Sequence, residues 1–177
     1  FSHVLQSSPN SLVRPLGLPC VFLALCLMRA AVGDADGQDV RASDWPQFRG
    51  PGALGRSAAR GLPLTWSDNT NIFWKTALPG PGASSPIVIG NKIIITCFTG
   101  FATSPQEPGD MANLKRHLIC LNLADGKIVW DTEVPAALPE QQRVRENHGY
   151  ASSTPVADSE RIYAFFGKSG VFAFDHS

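Results

Sequence analysis

The feature that most constrains this chain is a short hairpin pattern at residues 120–130. An apolar run ends at Asn122, a tight Asp125-Gly126 turn follows, and a second apolar run leads to Trp130. Asp-Gly between two apolar runs is a strong hairpin signal, because glycine adopts the positive φ that the turn requires and aspartate bonds to its own backbone. The pattern predicts two antiparallel strands joined at this turn.

Copies and partial copies of this hairpin and its neighbours occur elsewhere in the chain. In two segments, a Trp is followed by three residues, then an apolar residue and Pro; these are Trp74 to Pro79 and Trp130 to Pro135. The matching segments are residues 71–79 with 127–135, 84–88 with 153–157, 91–95 with 160–164, and 118–122 with 171–175. The repeating unit is therefore four short strands joined by turns.

These repeats predict seven strands, four in a first unit and three in a second. The predicted ranges are 85–89, 92–98, 117–122 and 127–134, then 154–157, 161–166 and 171–175. The second strand of each unit is apolar on both faces, which predicts a sheet covered on both sides. Repeated four-stranded antiparallel sheets are typical of a β-propeller, an all-β fold. We expect an incomplete propeller with one closing strand, one full blade and most of a second, in a fragment of a longer protein.

The hairpin also carries a family resemblance. It resembles the tryptophan-docking motif of propellers related to pyrroloquinoline-quinone (PQQ) dehydrogenases through Asn122, Asp125, Gly126, Lys127 and Trp130. That motif usually has Ala, Asp and Thr where this chain has Cys120, Asn122 and Asp125. The resemblance implies that Trp74 and Trp130 pack between neighbouring blades, so we assign both a structural role.

Three further segments, residues 45–51, 84–86 and 148–153, are similar to exported bacterial PQQ-like repeat proteins. The resemblance spans about residues 44–175. It implies the propeller fold and leaves the activity open.

Residues 1–33 have the layout of a secretory signal peptide. Arg14 precedes an apolar run from Leu16 to Met28, and small residues follow at 30–33. The run is shorter than the roughly 20 apolar residues that a membrane span needs. We therefore expect export to the periplasm or the extracellular space, no membrane span after cleavage, an irregular arm at 34–70 and the repeats at 71–177.

Charge and cysteine content narrow the function classes. The chain has 15 basic and 15 acidic residues without a basic stripe, so nucleic acid is not an expected partner. After signal cleavage only Cys97 and Cys120 remain, and two interpretations are open: a disulfide between neighbouring strands, or two buried thiols. No CxxC pattern occurs, and no metal site is predicted.

The connections between strands predict a binding face. The turns at one end of the sheets are tight, whereas residues 99–116 and 135–149 form long connections at the other end. The polar run 140–147 reads as a solvated loop, and His148 reads either as a turn residue or as a group at the mouth of the channel. Elaboration at one end marks a binding face. We place there Arg116, His117, Glu146, Asn147, His148 and Tyr150.

Three functional hypotheses follow. The first is a non-catalytic binding or scaffold propeller of the cell envelope, without a cofactor, whose partner is an envelope protein or an extracellular polymer. The second is a quinoprotein dehydrogenase that uses PQQ and calcium. The third is a carbohydrate- or polymer-binding propeller. No catalytic residue is assigned, because Ser152 and Ser153 lack a nucleophile-elbow context.

Overall fold

The computed structural model describes residues 44–104, 106–141 and 148–177. The predicted signal peptide at 1–33 lies outside these residues, and so do Glu146 and Asn147 of the predicted binding face. The start of the predicted arm, up to residue 43, also lies outside them.

Two antiparallel sheets make up the regular structure. The first contains β1 (Ile87–Ile89), β2 (Lys92–Thr99), β3 (Lys115–Asn122) and β4 (Ile128–Pro135), and the second contains β5 (Val156–Ala157), β6 (Arg161–Phe165) and β7 (Val171–Asp175). Each sheet is a meander in which strands adjacent in sequence are adjacent in space. The all-β prediction is confirmed, and the boundaries of these seven strands lie within two residues of the predicted ones. The closing strand expected before the first unit, at the copy of β4 in residues 71–79, does not form, because no other strand of the described residues lies beside this segment to pair with it.

The strand register reproduces the repeat. Ile87 lies opposite Ile94 in the first sheet, and Val156 lies opposite Tyr163 at the matching positions of the second. The tight connections of both sheets lie at one end, which we call the tight-turn end. The connections that follow β2, β4 and β6 start and finish at the other end, which we call the long-loop end.

The hairpin between β3 and β4 forms as the sequence predicts. Gly126 has a φ of 71°, and its amide donates to the Asn122 carbonyl over 2.9 Å. The Asp125 carboxylate accepts from the Lys127 amide at 3.1 Å. This local bonding explains why the turn is readable from sequence, since all of its requirements are met within six residues.

The first sheet is buried on both faces. One face presents Ile94, Leu118 and Cys120 to Ile162 and Ala164 of the second sheet. The other face carries a separate apolar cluster of Cys97, Ile119 and Leu121, packed with Leu78 and other partly buried side chains. The continuous apolar runs of the central strands match this arrangement, because both sides of the sheet exclude water.

Trp74 anchors the segment before β1 to the first sheet. Its Nε1 donates to the Leu123 carbonyl over 3.1 Å, and the Thr76 hydroxyl donates to the Gly126 carbonyl over 2.6 Å. A Cβ atom at Gly126 would lie 2.3 Å from the Trp74 ring, so only glycine leaves room for the indole. Trp130 packs against the core between the sheets, and its buried Nε1 has no hydrogen-bond partner among the described residues.

The segment that begins at Asp44 joins the first strands of the two sheets. Trp45 exchanges backbone hydrogen bonds with Val88 of β1, and the Pro46 carbonyl accepts from the Ala157 amide of β5 over 2.8 Å. The Asp44 carboxylate accepts from the Gly90 amide at 3.0 Å. This segment therefore covers part of both strand edges toward the tight-turn end.

The disulfide considered between Cys97 and Cys120 does not form. Cys97 lies opposite His117, whereas Cys120 lies opposite Ile94, so the two thiols point to opposite faces of the sheet. Both cysteines are free and buried. Burial raises the pKa of Cys97 to about 11, and burial also raises the pKa of Cys120.

Candidate functional site

A pocket of about 270 Å³ opens at the long-loop end, where the two sheets meet. We call it the inter-sheet pocket. Its walls come from the start of β3, from the connection between β4 and β5, and from the end of β6 with the turn that follows. The side chains that carry its chemistry are Arg116, Glu140, His148, Tyr150, Ser152, Ser153, Phe165 and Lys168.

Arg116 forms the floor of the pocket and is almost fully buried. Its Nε donates to the Tyr150 carbonyl over 3.0 Å, its Nη1 donates to the Ser169 hydroxyl over 3.1 Å, and its Nη2 donates to Glu140. The side chains of Arg116 and Glu140 are 3% and 7% exposed. The two charges neutralise each other, and the guanidinium bonds three separate segments of the chain. The pair therefore fixes the geometry of the pocket.

Glu140 corrects the prediction of a solvated loop at 140–147. Its carboxylate is buried against Arg116, so the loop begins with an internal ion pair. The sequence showed an acidic residue in a long connection, but it gave no signal for which cation that residue would meet. Residues 142–147 of the same run lie outside the described residues.

Tyr150 shapes the wall of the pocket. Its hydroxyl donates to the Gln141 carbonyl over 2.9 Å. Its ring meets Phe98 edge to face, with centroids 5.4 Å apart at 80°, and lies 5.8 Å from the ring of Phe101. Aromatic pairs in these geometries add to the stability of a buried cluster. Tyr150 thus lies at the long-loop end, where its hydroxyl bonds the backbone and its ring packs on two other aromatic rings.

His148 lies at the rim of the pocket and is exposed. Its Nδ1 is 3.1 Å from the Gly149 carbonyl. A carbonyl only accepts hydrogen bonds, so Nδ1 carries the proton and Nε2 is left for a ligand or for water. His148 and Gly149 also line a second pocket of about 260 Å³, together with Pro81, Ala83 and Phe98.

His117, near the start of β3, does not line the inter-sheet pocket. Its ring is buried on the opposite face of β3 from Arg116, where Nδ1 is 2.9 Å from an Asp131 carboxylate oxygen and Nε2 is 2.9 Å from the Thr99 hydroxyl. The neutral ring donates from Nδ1 to the carboxylate and accepts from the hydroxyl at Nε2. The side chain is only 4% exposed.

A series of hydrogen bonds links Thr99, His117 and Asp131. Its order of hydroxyl, imidazole and carboxylate is that of a nucleophilic triad. Neither Thr99 nor His117 lines the inter-sheet pocket or the second pocket. Because the imidazole is buried and both of its nitrogens are bonded, we assign the chain a structural role in joining β2, β3 and β4.

Several pocket residues were missed by sequence reasoning. Phe165 and Lys168 come from the end of β6 and the turn after it, and Ser169 bonds Arg116 from the same turn. The turn equivalent to the long β2–β3 connection is short in the second sheet, so loop length gave no signal. The repeat was the usable signal, since it places this turn at the long-loop end.

The described residues show neither a metal-ligand cluster nor a membrane-spanning helix. No group of three or more His, Cys, Asp or Glu side chains is positioned for a metal ion within the described ranges. Among the same residues, no helix is long and apolar enough to cross a membrane. The calcium hypothesis stays a prediction, since these ranges leave part of the chain undescribed.

Fold and site together define an all-β protein with a pocket at the junction of two antiparallel sheets. Comparisons with protein-family models, curated proteins and solved structures return no match for this chain. The PQQ-like resemblance therefore stays a prediction that rests on the sequence motifs alone.

Proposed function

We propose that this chain is a non-catalytic binding module built on the β-propeller plan, with its ligand or partner at the long-loop end. The inter-sheet pocket is the observation that carries this proposal. It is concave, mixes aromatic walls with a few polar groups, and has a floor held by the buried Arg116–Glu140 pair. Binding sites commonly combine these properties.

The propeller plan is supported by the way the sheets repeat and pack. The first sheet buries one face against the second sheet and the other against the segment that contains Leu78. Trp74 sits on the Gly126 turn of the first sheet, and the matching Trp130 packs toward the second sheet. Sheets that stack in series through such contacts are the construction principle of a propeller.

A cell-envelope or extracellular location belongs to the same proposal. Its support is the pattern of a basic residue, an apolar run and small residues within residues 1–33. Amino-terminal sequencing of the protein secreted or exported by an expressing cell tests it. A mature amino terminus close to Asp34 is expected, and an unprocessed cytoplasmic product would contradict it.

The binding proposal is tested by blocking the pocket. We would screen small polar and aromatic compounds by ligand-observed NMR against the chain, and then against Ser152→Trp. Ser152 lines the pocket and is partly exposed, so an indole there fills part of its volume. Compounds that bind at this site should lose their signal with the variant.

Ser159→Trp is the matched control. Ser159 is an exposed serine in the turn between β5 and β6, at the tight-turn end. It introduces the same side chain far from the pocket. The proposed site is refuted if the screen yields no compound that loses binding to Ser152→Trp and keeps binding to Ser159→Trp.

A further inference from the structure

The inter-sheet pocket has an excess of positive charge at its rim. The charge of Arg116 is neutralised by Glu140. Lys168 donates from Nζ to the Pro139 carbonyl over 2.7 Å and forms no ion pair within the described part of the chain. His148 also lines the pocket, and the free Nε2 of its Nδ1-protonated ring can accept a hydrogen bond. An anionic group on a ligand would complement this rim.

Two serine hydroxyls of the pocket are available for hydrogen bonds. Ser152 and Ser153 line the pocket, and neither hydroxyl has a partner among the described residues. The repeat supplies a comparison, because Ser84 occupies the position of Ser153 in the first sheet. The Ser84 hydroxyl accepts from the Thr96 amide over 3.2 Å, so there the serine serves the fold.

An aromatic ring forms a wall beside these hydroxyls. Phe165 lines the pocket and is 53% exposed, although it lies within a strand. It lies on the opposite side of the chain from Ala164 and Phe166, which pack toward the first sheet. A half-exposed aromatic ring next to hydroxyls and a cation can stack on the C–H face of a sugar, while the polar groups bind the sugar's oxygens.

The second pocket extends the site beyond one sugar unit. It shares His148 and Gly149 with the inter-sheet pocket, and Pro81 and Ala83 in it are the repeat equivalents of Tyr150 and Ser152. The two volumes, about 270 and 260 Å³, thus lie side by side across one short segment. A ligand that enters both must be elongated.

We propose that the inter-sheet pocket binds a uronate unit of an acidic polysaccharide. The carboxylate bonds the Lys168 ammonium, the sugar ring stacks on Phe165, and its hydroxyls bond Ser152, Ser153 and the free Nε2 of His148. The next unit of the polymer continues into the second pocket. The inference rests on the proposed binding function and gives it a ligand class.

Calorimetric titration with an oligogalacturonate of four units tests the inference. The same oligomer with its carboxylates methyl-esterified is the control ligand, because it keeps the sugars and removes the charge. We expect binding of the acid form, weakening with added salt, and at least about tenfold weaker binding of the ester. Free galacturonate should bind more weakly than the oligomer, since it fills one pocket.

Three variants locate the binding. Lys168→Gln and Phe165→Ser should each weaken the oligomer about tenfold, through the lost charge and the lost stacking surface. Ser153→Ala should weaken it less and leave the fold unchanged, because that hydroxyl has no partner among the described residues. Lys127→Gln, an exposed lysine at the tight-turn end, is the control and should bind normally.

Equal affinity for the acid and the ester would overturn the inference, and so would wild-type affinity of Lys168→Gln. A tetramer no tighter than the monomer would overturn its extension into the second pocket. If oligogalacturonate fails to bind while the compounds displaced by Ser152→Trp still bind, the uronate assignment is wrong and the proposed binding function stands.

Discussion

The contact between Trp74 and the Gly126 turn predicts how much unfolding free energy Gly126→Ala should lose. Gly126 has a φ of 71°, and a Cβ there would meet the indole of Trp74 at 2.3 Å. Gly126→Ala therefore has two costs. The left-handed backbone costs alanine about 1–2 kcal/mol, and displacement of the indole loses its hydrogen bond to Leu123, worth about 1 kcal/mol, together with packing.

Gly90 separates these two costs. Its φ is 58°, but a Cβ there would meet nothing within 4 Å. Gly90→Ala should therefore lose only the backbone contribution, about 1–2 kcal/mol. We expect Gly126→Ala to lose about 2–4 kcal/mol of unfolding free energy, measured by urea unfolding followed by far-ultraviolet circular dichroism.

A double-mutant cycle identifies the indole as the cause. In the background of Trp74→Ala, the excess cost of Gly126→Ala over Gly90→Ala should mostly disappear, because the ring that the new methyl group meets is gone. Equal losses for the two alanine variants in the wild-type background would refute the reasoning. So would an excess that survives unchanged in the Trp74→Ala background.

Three further predictions concern buried polar groups. Glu140→Gln should lower the free energy of unfolding by about 3 kcal/mol, since it leaves the Arg116 guanidinium buried without its counter-charge; a loss below 1 kcal/mol in urea unfolding would contradict this. Burial raises the pKa of Cys97 from 9.0 to about 11, so stability should be fully present below pH 9 and fall as the pH rises toward 11, and Cys97→Ala should flatten that fall. Trp130→Phe should cost less than Trp74→Phe in the same assay, because only the Trp74 indole has a hydrogen-bond partner to lose; the reverse order would refute it.

The parts of the fold that sequence reasoning predicted are those set by local chemistry and by the repeat. The Asp125-Gly126 turn bonds within itself and so predicts β4 after β3, and the matched segments identify the other strands by comparison. The copy of β4 at residues 71–79 forms no strand, so the comparison fails there. Ring closure and blade number depend on contacts between sheets, so they remain part of the proposal.

The parity of strand residues decides which predicted residues reach the pocket. Arg116 and His117 were both placed at the long-loop end, but successive residues of a strand point to opposite sides of the sheet. Arg116 reaches the inter-sheet pocket, whereas His117 bonds Thr99 and Asp131 behind it. Cys97 and Cys120 fail to pair for the same reason, because the register of β2 and β3 puts them on different faces. The separation of Arg116 from His117 follows from the prediction of β3 alone, whereas the choice between a disulfide and two buried thiols also needs the register.

The two copies of the repeat separate what the fold requires from what it leaves free. Residues that form the same bonds in both sheets stabilise the sheets. A position that forms a structural bond in one copy and none in the other is not required for the fold in that second copy. Ser84 bonds the backbone of Thr96 in the first sheet, but its counterpart Ser153 lines the inter-sheet pocket and has no partner among the described residues. Because one chain folds both copies by the same physical rules, this difference is the strongest reason to look for the ligand there.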